Sequence, residues 1–230
     1  MKAGLKVSPV KSYSQIWEAI AADIKEEILN GRLKPDERLK ESVLATKYRV
    51  SKTPVREALR YLESTGFVEI VPHTMACVKR MSQKEVENLY SIQSVLEGLS
   101  VRKSIPHLQE DHIQSLRRFS GLLEKHYQSR NLSEYEKANI QFHALFWKAA
   151  DNENLYELTD NIRSRLQRFR TATRRYPEEF KELVADHQKI IDIAIKKDAE
   201  EAERLVRRHI ERNGNHYRAL EKGKGFLAST

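Results

Sequence analysis

The sequence predicts a mainly α protein in two parts: an N-terminal winged helix-turn-helix over residues 1–80, followed by an all-helical bundle of about six helices over residues 81–230. Three observations carry this expectation. Past residue 80, apolar side chains recur at three- and four-residue steps, the period of a helix with one buried face. Before it, two short β-rich runs, Phe67 to Val71 and Ala76 to Lys79, flank Pro72-His73-Thr74. Just ahead of those runs, residues 38–65 read as a short helix, a tight turn and a second helix.

In chain order, residues 1–12 are expected to form a flexible arm, and Pro35-Asp36 a turn, since Asp tolerates turn conformations. Leu44 and Ala45 open the short helix, and Tyr48 to Val50 make the turn. Ser51 is the expected N-cap of the second helix, its hydroxyl accepting from early backbone amides. Pro54 falls in the first turn, where amides lack intrahelical partners in any case. The bundle opens at Ser82, which with Glu85 fits a capping box and precedes Val86, Leu89, Ile92, Leu96 and Leu99. Further helices follow on Ile113–Leu116–Leu123, Tyr135–Phe142–Phe146–Ala149 and Leu155–Leu158–Ile162–Leu166–Phe169. Two more are expected, on Phe180–Leu183–His187–Ile191–Ile195 and from about Asp198 to Leu220. Ile105-Pro106, Asn131 to Ser133, Asp151-Asn152 and Tyr176-Pro177 supply the breaks.

Composition narrows the function classes. No apolar run approaches the ~20 residues needed to span a bilayer, so no membrane role is expected. A single cysteine, Cys77, cannot form an intrachain disulfide, which suits a cytoplasmic location. The net charge of +8 favours polyanionic partners, and the first 80 residues are the more basic part per residue.

The second helix of the N-terminal part gives that charge a shape. Val55, Ala58, Leu59 and Leu62 form an apolar stripe, while Lys52, Arg56 and Arg60 recur every four residues on another face, with Thr53 beside them. A helix of ~10–12 Å diameter fits the major groove of double-stranded DNA, where Arg can bond guanine bidentately and Lys meets phosphates. Arg56 is therefore the expected base reader, and Ser51, Lys52 and Arg60 the docking contacts. The wing would add His73 and Thr74. The competing reading is a solvated face on which Glu57 and Glu63 pair with Arg60. RNA binding would call for exposed aromatics beside the stripe, and only Tyr61 stands near it.

Three histidines interrupt the apolar stripes of three different bundle helices: His143, His187 and His209. His143 shares a helical face with Asn139 four residues earlier. Were those faces to converge, three imidazoles could bind one divalent ion such as Zn²⁺ or Ni²⁺, with Asn139, water or an effector oxygen completing the shell. A hydrogen-bonded core role is the alternative for each histidine taken singly. A metal-dependent enzyme is the second reading of the cluster, the ion activating water or oxygen.

Residues 13–79 resemble the winged helix-turn-helix of GntR-family bacterial transcription regulators. The likeness rests on Leu39, then Val50-Ser51-Lys52-Thr53-Pro54-Val55-Arg56-Glu57-Ala58-Leu59, Leu62 and Gly66-Phe67-Val68. The helical remainder resembles the FCD ligand domain of the FadR-like branch. This resemblance implies a ligand-responsive regulator, a repressor, binding a palindromic operator as a homodimer, with a small-molecule effector such as an organic acid held in the bundle. It also implies a metal site of the pattern Asp-x-x-Phe-His plus two later histidines. Here that pattern is Asn139-Ile140-Gln141-Phe142-His143, then His187 and His209, so a neutral amide replaces the carboxylate. Gln93 occupies the place where the family commonly bears an effector-clamping arginine, which leaves Arg163 and Arg165 as alternative anion contacts, although arginines on such a helix are ordinarily solvated. Met75 stands where the family wing usually has glycine.

Overall fold

The computed structural model of the chain describes residues 13–71, 75–173 and 181–224, which fall into two compact units divided between Arg80 and Met81. The readings placed on residues 1–12, on Pro72, His73 and Thr74, and on Tyr176, Pro177 and Phe180 lie outside the described residues.

The first unit runs α1 (Tyr13–Leu29), β1 (Arg38–Leu39), α2 (Glu41–Tyr48), α3 (Lys52–Ser64), β2 (Val68–Val71) and β3 (Met75–Val78). Ile20, Ile24 and Ile28 of α1, spaced four apart, share one core with Val55, Ala58, Leu59 and Leu62 of α3. Fully burying an aliphatic side chain such as Ile24 or Leu62 contributes about 1.5–3 kcal/mol. α2 stops because Arg49 takes a left-handed conformation (φ 55°) and returns its N–H to the carbonyls of Ala45 and Thr46. That residue is the tight turn between the helices. Ser51 does hold the N-cap position of α3, with extended backbone, but its hydroxyl makes no capping hydrogen bond. Residue type set the position; it did not fix the rotamer. The sheet has three strands among the described residues rather than two, in the order β1-β3-β2 and antiparallel throughout. β1, with only two residues, is too short to show an alternating pattern. Asp36 accepts the left-handed turn (φ 67°), and its carboxylate receives the Arg80 Nε–H at 2.7 Å. Gly66 (φ 79°) turns α3 into β2, a backbone that side-chain-bearing residues rarely adopt.

Among the described residues the second unit holds six α-helices: α4 (Gln83–Ser104), α5 (Glu110–Gln128), α6 (Leu132–Ala149), α7 (Glu153–Thr173), α8 (Lys181–Ile195) and α9 (Ala199–Lys224). A 3-10 turn, Ile105–His107, marks the break at Pro106. The capping box is complete, with the Ser82 hydroxyl accepting from the Glu85 N–H at 3.2 Å and the Glu85 carboxylate from the Ser82 N–H at 2.9 Å. α4 packs against α6, α7 and α9, and α8 against α5 and α9. The α4–α9 approach is close: a Cβ at Gly98 would lie 2.6 Å from Arg207 Cγ. Phe142, Phe146, Leu166 and Phe169 fill the centre. Among the described residues no helix is long and apolar enough to cross a membrane.

Candidate functional site

α3 presents its two faces as the periodicity requires. Val55, Ala58, Leu59 and Leu62 are buried, while Lys52, Thr53, Arg56 and Arg60 are exposed. Lys52, Arg56 and Arg60 line a cleft of about 500 Å³ together with Lys40, Glu41 and Met75. Arg60 does pair with Glu57, at 3.2 Å, as a solvated helix face would allow. Arg56 does something the helix pattern does not show. Its guanidinium forks onto Glu41 in the first turn of α2, with Nε 3.0 Å from Oε1 and a terminal nitrogen 2.8 Å from Oε2. That hydrogen-bonded contact holds the Glu41 carboxyl below its ordinary pKa, with Lys52 and Arg60 adding to the effect. Tyr61 leans on Trp17, ring centroids 5.4 Å apart.

In the bundle, α6 supplies Asn139 and His143 one turn apart, α8 supplies His187, and α9 supplies His209. All four are buried. One nitrogen from each imidazole lies within 4.8 Å of the others. Asn139 joins them, its Oδ1 being 3.2 Å from His187 Nε2. The other ring nitrogen of His187 is 3.3 Å from the Val184 carbonyl. A neutral imidazole has one N–H, so it can donate to one of those two oxygens and must present a lone pair to the other. A cation relieves that contact. Spacing within 4.8 Å brings the three imidazole nitrogens close enough to share one ion, whose Zn–N bonds are about 2.0–2.1 Å long. The donor set therefore fits a divalent ion.

Beside the histidines lies a buried polar cluster of which the sequence showed only part. Gln93, on α4, donates its amide to Glu97 one turn later and accepts from an Arg170 terminal nitrogen at 2.6 Å. Glu97 is fully buried, with Oε2 2.8 Å from His143 Nδ1 and Oε1 3.8 Å from Arg163. Arg163 also reaches Glu136 at 3.4 Å and lies over the Trp147 ring, 5.4 Å from its centroid. Arg163 is thus a core residue, not the solvated arginine expected on this helix, and Arg170, two turns further along the stripe that also carries Leu166, is buried with it. Arg165, two residues from Arg163 and on another side of α7, is part-buried, with Glu85 the opposing charge. Glu97, Arg170, Glu136 and Asp186 escaped the sequence reading. The available signal for Glu97 was its four-residue spacing from Gln93.

The charge states follow from these contacts. Burial alone would raise the Glu97 carboxyl, but the His143 contact and the charges of Arg163 and Arg170 overcome it and hold the group at about 2. Burial lowers His143 to about 4 against the pull of Glu97. At neutral pH the pair is a carboxylate and a neutral imidazole. Burial also pulls Arg163 down to about 9, which leaves it protonated. Asp186, on α8, is lowered in spite of its burial by His209, Lys189 and Arg212.

Comparison with known proteins agrees with both halves. Residues 16–75 match the family described as bacterial regulatory proteins, gntR family, and residues 88–212 match the FCD domain. The HTH-type transcriptional regulator YdhC of Bacillus subtilis is 27% identical over 218 residues, 94% of this chain and 96% of that protein. The HTH-type transcriptional repressor RspR of Escherichia coli is 21% identical over 199 residues, 86% of this chain and 87% of its own. The solved structure of E. coli McbR/YncC superposes with a TM-score of 0.75 at 20% identity, covering 89% of this chain and 97% of that one, and so shares its fold. These matches support a regulator and lend no support to the metal-dependent enzyme. The chain belongs to the GntR family of bacterial regulatory proteins, a DNA-binding transcription regulator whose second unit is an FCD domain.

Proposed function

We propose that this regulator is a repressor that binds a palindromic operator as a homodimer in the cytoplasm, and that the FCD domain senses a divalent ion and a small-molecule effector. One observation carries the sensing half: Asn139, His143, His187 and His209 converge from three helices in a buried site. Zn²⁺ or Ni²⁺ suits an imidazole-rich shell, with Asn139 as a neutral oxygen ligand. Bound there, the ion would offer a Lewis-acidic position to an effector oxygen. An organic acid remains the effector class, and its carboxylate would compete with Glu97 and Gln93 for Arg163 and Arg170. The repressor reading is supported by relatives such as RspR, which bear that name.

On the DNA side, Arg56 reads a base edge, Ser51, Lys52, Thr53 and Arg60 dock the helix, and His73 and Thr74 on the wing extend the contact. Arg165 is kept as a weaker effector contact than Arg163. A coupling of about 1–3 kcal/mol between the two units would change operator affinity roughly 5- to 150-fold. The segment from Arg80 to Ser82, which joins them, would transmit it. Metal content of the purified protein, followed by operator affinity with the ion present and removed, tests this reading. Stoichiometric Zn²⁺ or Ni²⁺ with metal-dependent affinity is expected; an FCD domain that takes up neither ion contradicts it.

A further inference from the structure

All three site histidines have an oxygen placed against the same ring atom. His143 Nδ1 is 2.8 Å from Glu97 Oε2, His187 Nδ1 is 3.3 Å from the Val184 carbonyl, and His209 Nδ1 is 3.5 Å from Asp186 Oδ2. Both carboxylates are buried, with residue exposures of 0% for Glu97 and 1% for Asp186. Each is also held from behind. Glu97 accepts from Gln93 and faces Arg163, while Asp186 accepts from Arg212 at 2.8 Å and Lys189 at 3.2 Å. His143 Nδ1 lies at hydrogen-bonding distance from Glu97, whereas the longer approach of Asp186 leaves His209 Nδ1 buried without a hydrogen bond in this structure. An imidazole whose Nδ1–H is turned toward a carboxylate presents its Nε2 lone pair, and a carboxylate that accepts that proton makes the ring a stronger donor to a metal.

We infer that Glu97 and Asp186 are positioning residues of the metal site: they fix His143 and His209 as Nε2 ligands and restore, one bond further out, the anionic character that Asn139 does not supply. The ligand shell of three imidazoles and one amide is neutral. A divalent ion in a buried neutral shell lacks a compensating charge, and the two carboxylates stand at the nearest positions from which the rings can relay one. Arg163 and Arg170 offset part of the charge of Glu97, so its effect on His143 is mainly orientation. Asp186 is braced by Arg212 and Lys189, which keep solvent contact, so more of its charge reaches the site. This inference rests on the metal reading of the four residues.

Zn²⁺ affinity of the full-length protein, measured by competition with a chromophoric chelator, tests it. Asp186→Asn should weaken binding about 10- to 100-fold, as should Glu97→Gln where that variant folds. The Co²⁺ absorption spectrum should keep its shape in Asp186→Asn and change in His209→Ala, because one variant loses an outer partner and the other a ligand. In the metal-free wild type, nitrogen NMR should show His143 and His209 protonated on Nδ1. A Zn²⁺ affinity in Asp186→Asn within twofold of wild type, or Nε2-protonated rings, would overturn the assignment while the metal site stands. Wild-type protein that binds neither Zn²⁺ nor Co²⁺ would instead remove the metal reading and this assignment with it.

Discussion

Glu41 and Arg56, from successive helices of the helix-turn-helix, form a two-point ion pair with contacts of 2.8 and 3.0 Å on the exposed cationic face. A carboxylate therefore occupies the guanidinium fork proposed to read a base edge, and it stands among Lys40, Lys52 and Arg60 in the same cleft. Replacing Glu41 by Gln removes both the competitor and a charge repelled by phosphate. Affinity for random duplex should rise, with a steeper salt dependence, while unfolding free energy changes by no more than about 1 kcal/mol, as for other exposed pairs. Unchanged random-duplex binding would show that Glu41 does not restrain Arg56.

Arg56 and Lys52 should separate base reading from docking. Arg56→Ala is expected to lose about 1–3 kcal/mol on the operator and to relax base preference at one position of each half-site. Lys52→Ala should weaken all duplexes alike and reduce the salt slope by about one. Fluorescence anisotropy on the operator and on single-base variants distinguishes the two patterns. Equal losses on every sequence for Arg56→Ala would deny it a base contact.

Acid should destabilise the metal-free FCD domain in two stages. Folded His143 titrates at about 4 against an ordinary 6.5, so it stays neutral while the unfolded chain takes up a proton. Its contribution is present above 6.5 and is lost as pH falls toward 4. Folded Glu97 titrates at about 2 against 4.5, so its contribution is present above 4.5 and is lost toward 2. Urea unfolding across this range should show stability falling from about pH 6.5 downward. His143→Gln should flatten the upper stage, and a flat wild-type profile between pH 7 and 4.5 would refute the assignment.

Metal removal should lower thermal stability through mass action. An ion at 100 times its Kd adds about 2.7 kcal/mol, so chelator should reduce the melting temperature of wild type by several degrees. His187→Ala, which removes a fully buried residue of the proposed metal site, should melt lower and should not respond to chelator. A chelator shift equal to wild type in that variant would place the ion elsewhere.

Much of this was legible because period and residue type act locally. The α3 stripe from Val55 to Leu62 and its opposed cations follow from spacing alone. His143, His187 and His209 stood out as polar groups in apolar stripes. What stayed hidden depends on partners from distant helices. Arg163 read as solvent-facing and Arg170 drew no reading because a lone charge seldom survives burial, and the carboxylates beside Arg163, Glu97 and Glu136, come from α4 and α6. Glu41 was invisible as the partner of Arg56 because a turn intervenes and no helical spacing links them. The missing Ser51 cap shows the same limit at smaller scale.

Sequence-specific DNA reading by α3 is the claim on which the regulator account turns, and titration of a selected palindromic duplex against its scrambled counterpart, at one salt concentration, measures it directly. The palindrome should bind at least about 10³-fold more tightly, with two chains per duplex. Equal affinity for both duplexes would contradict it.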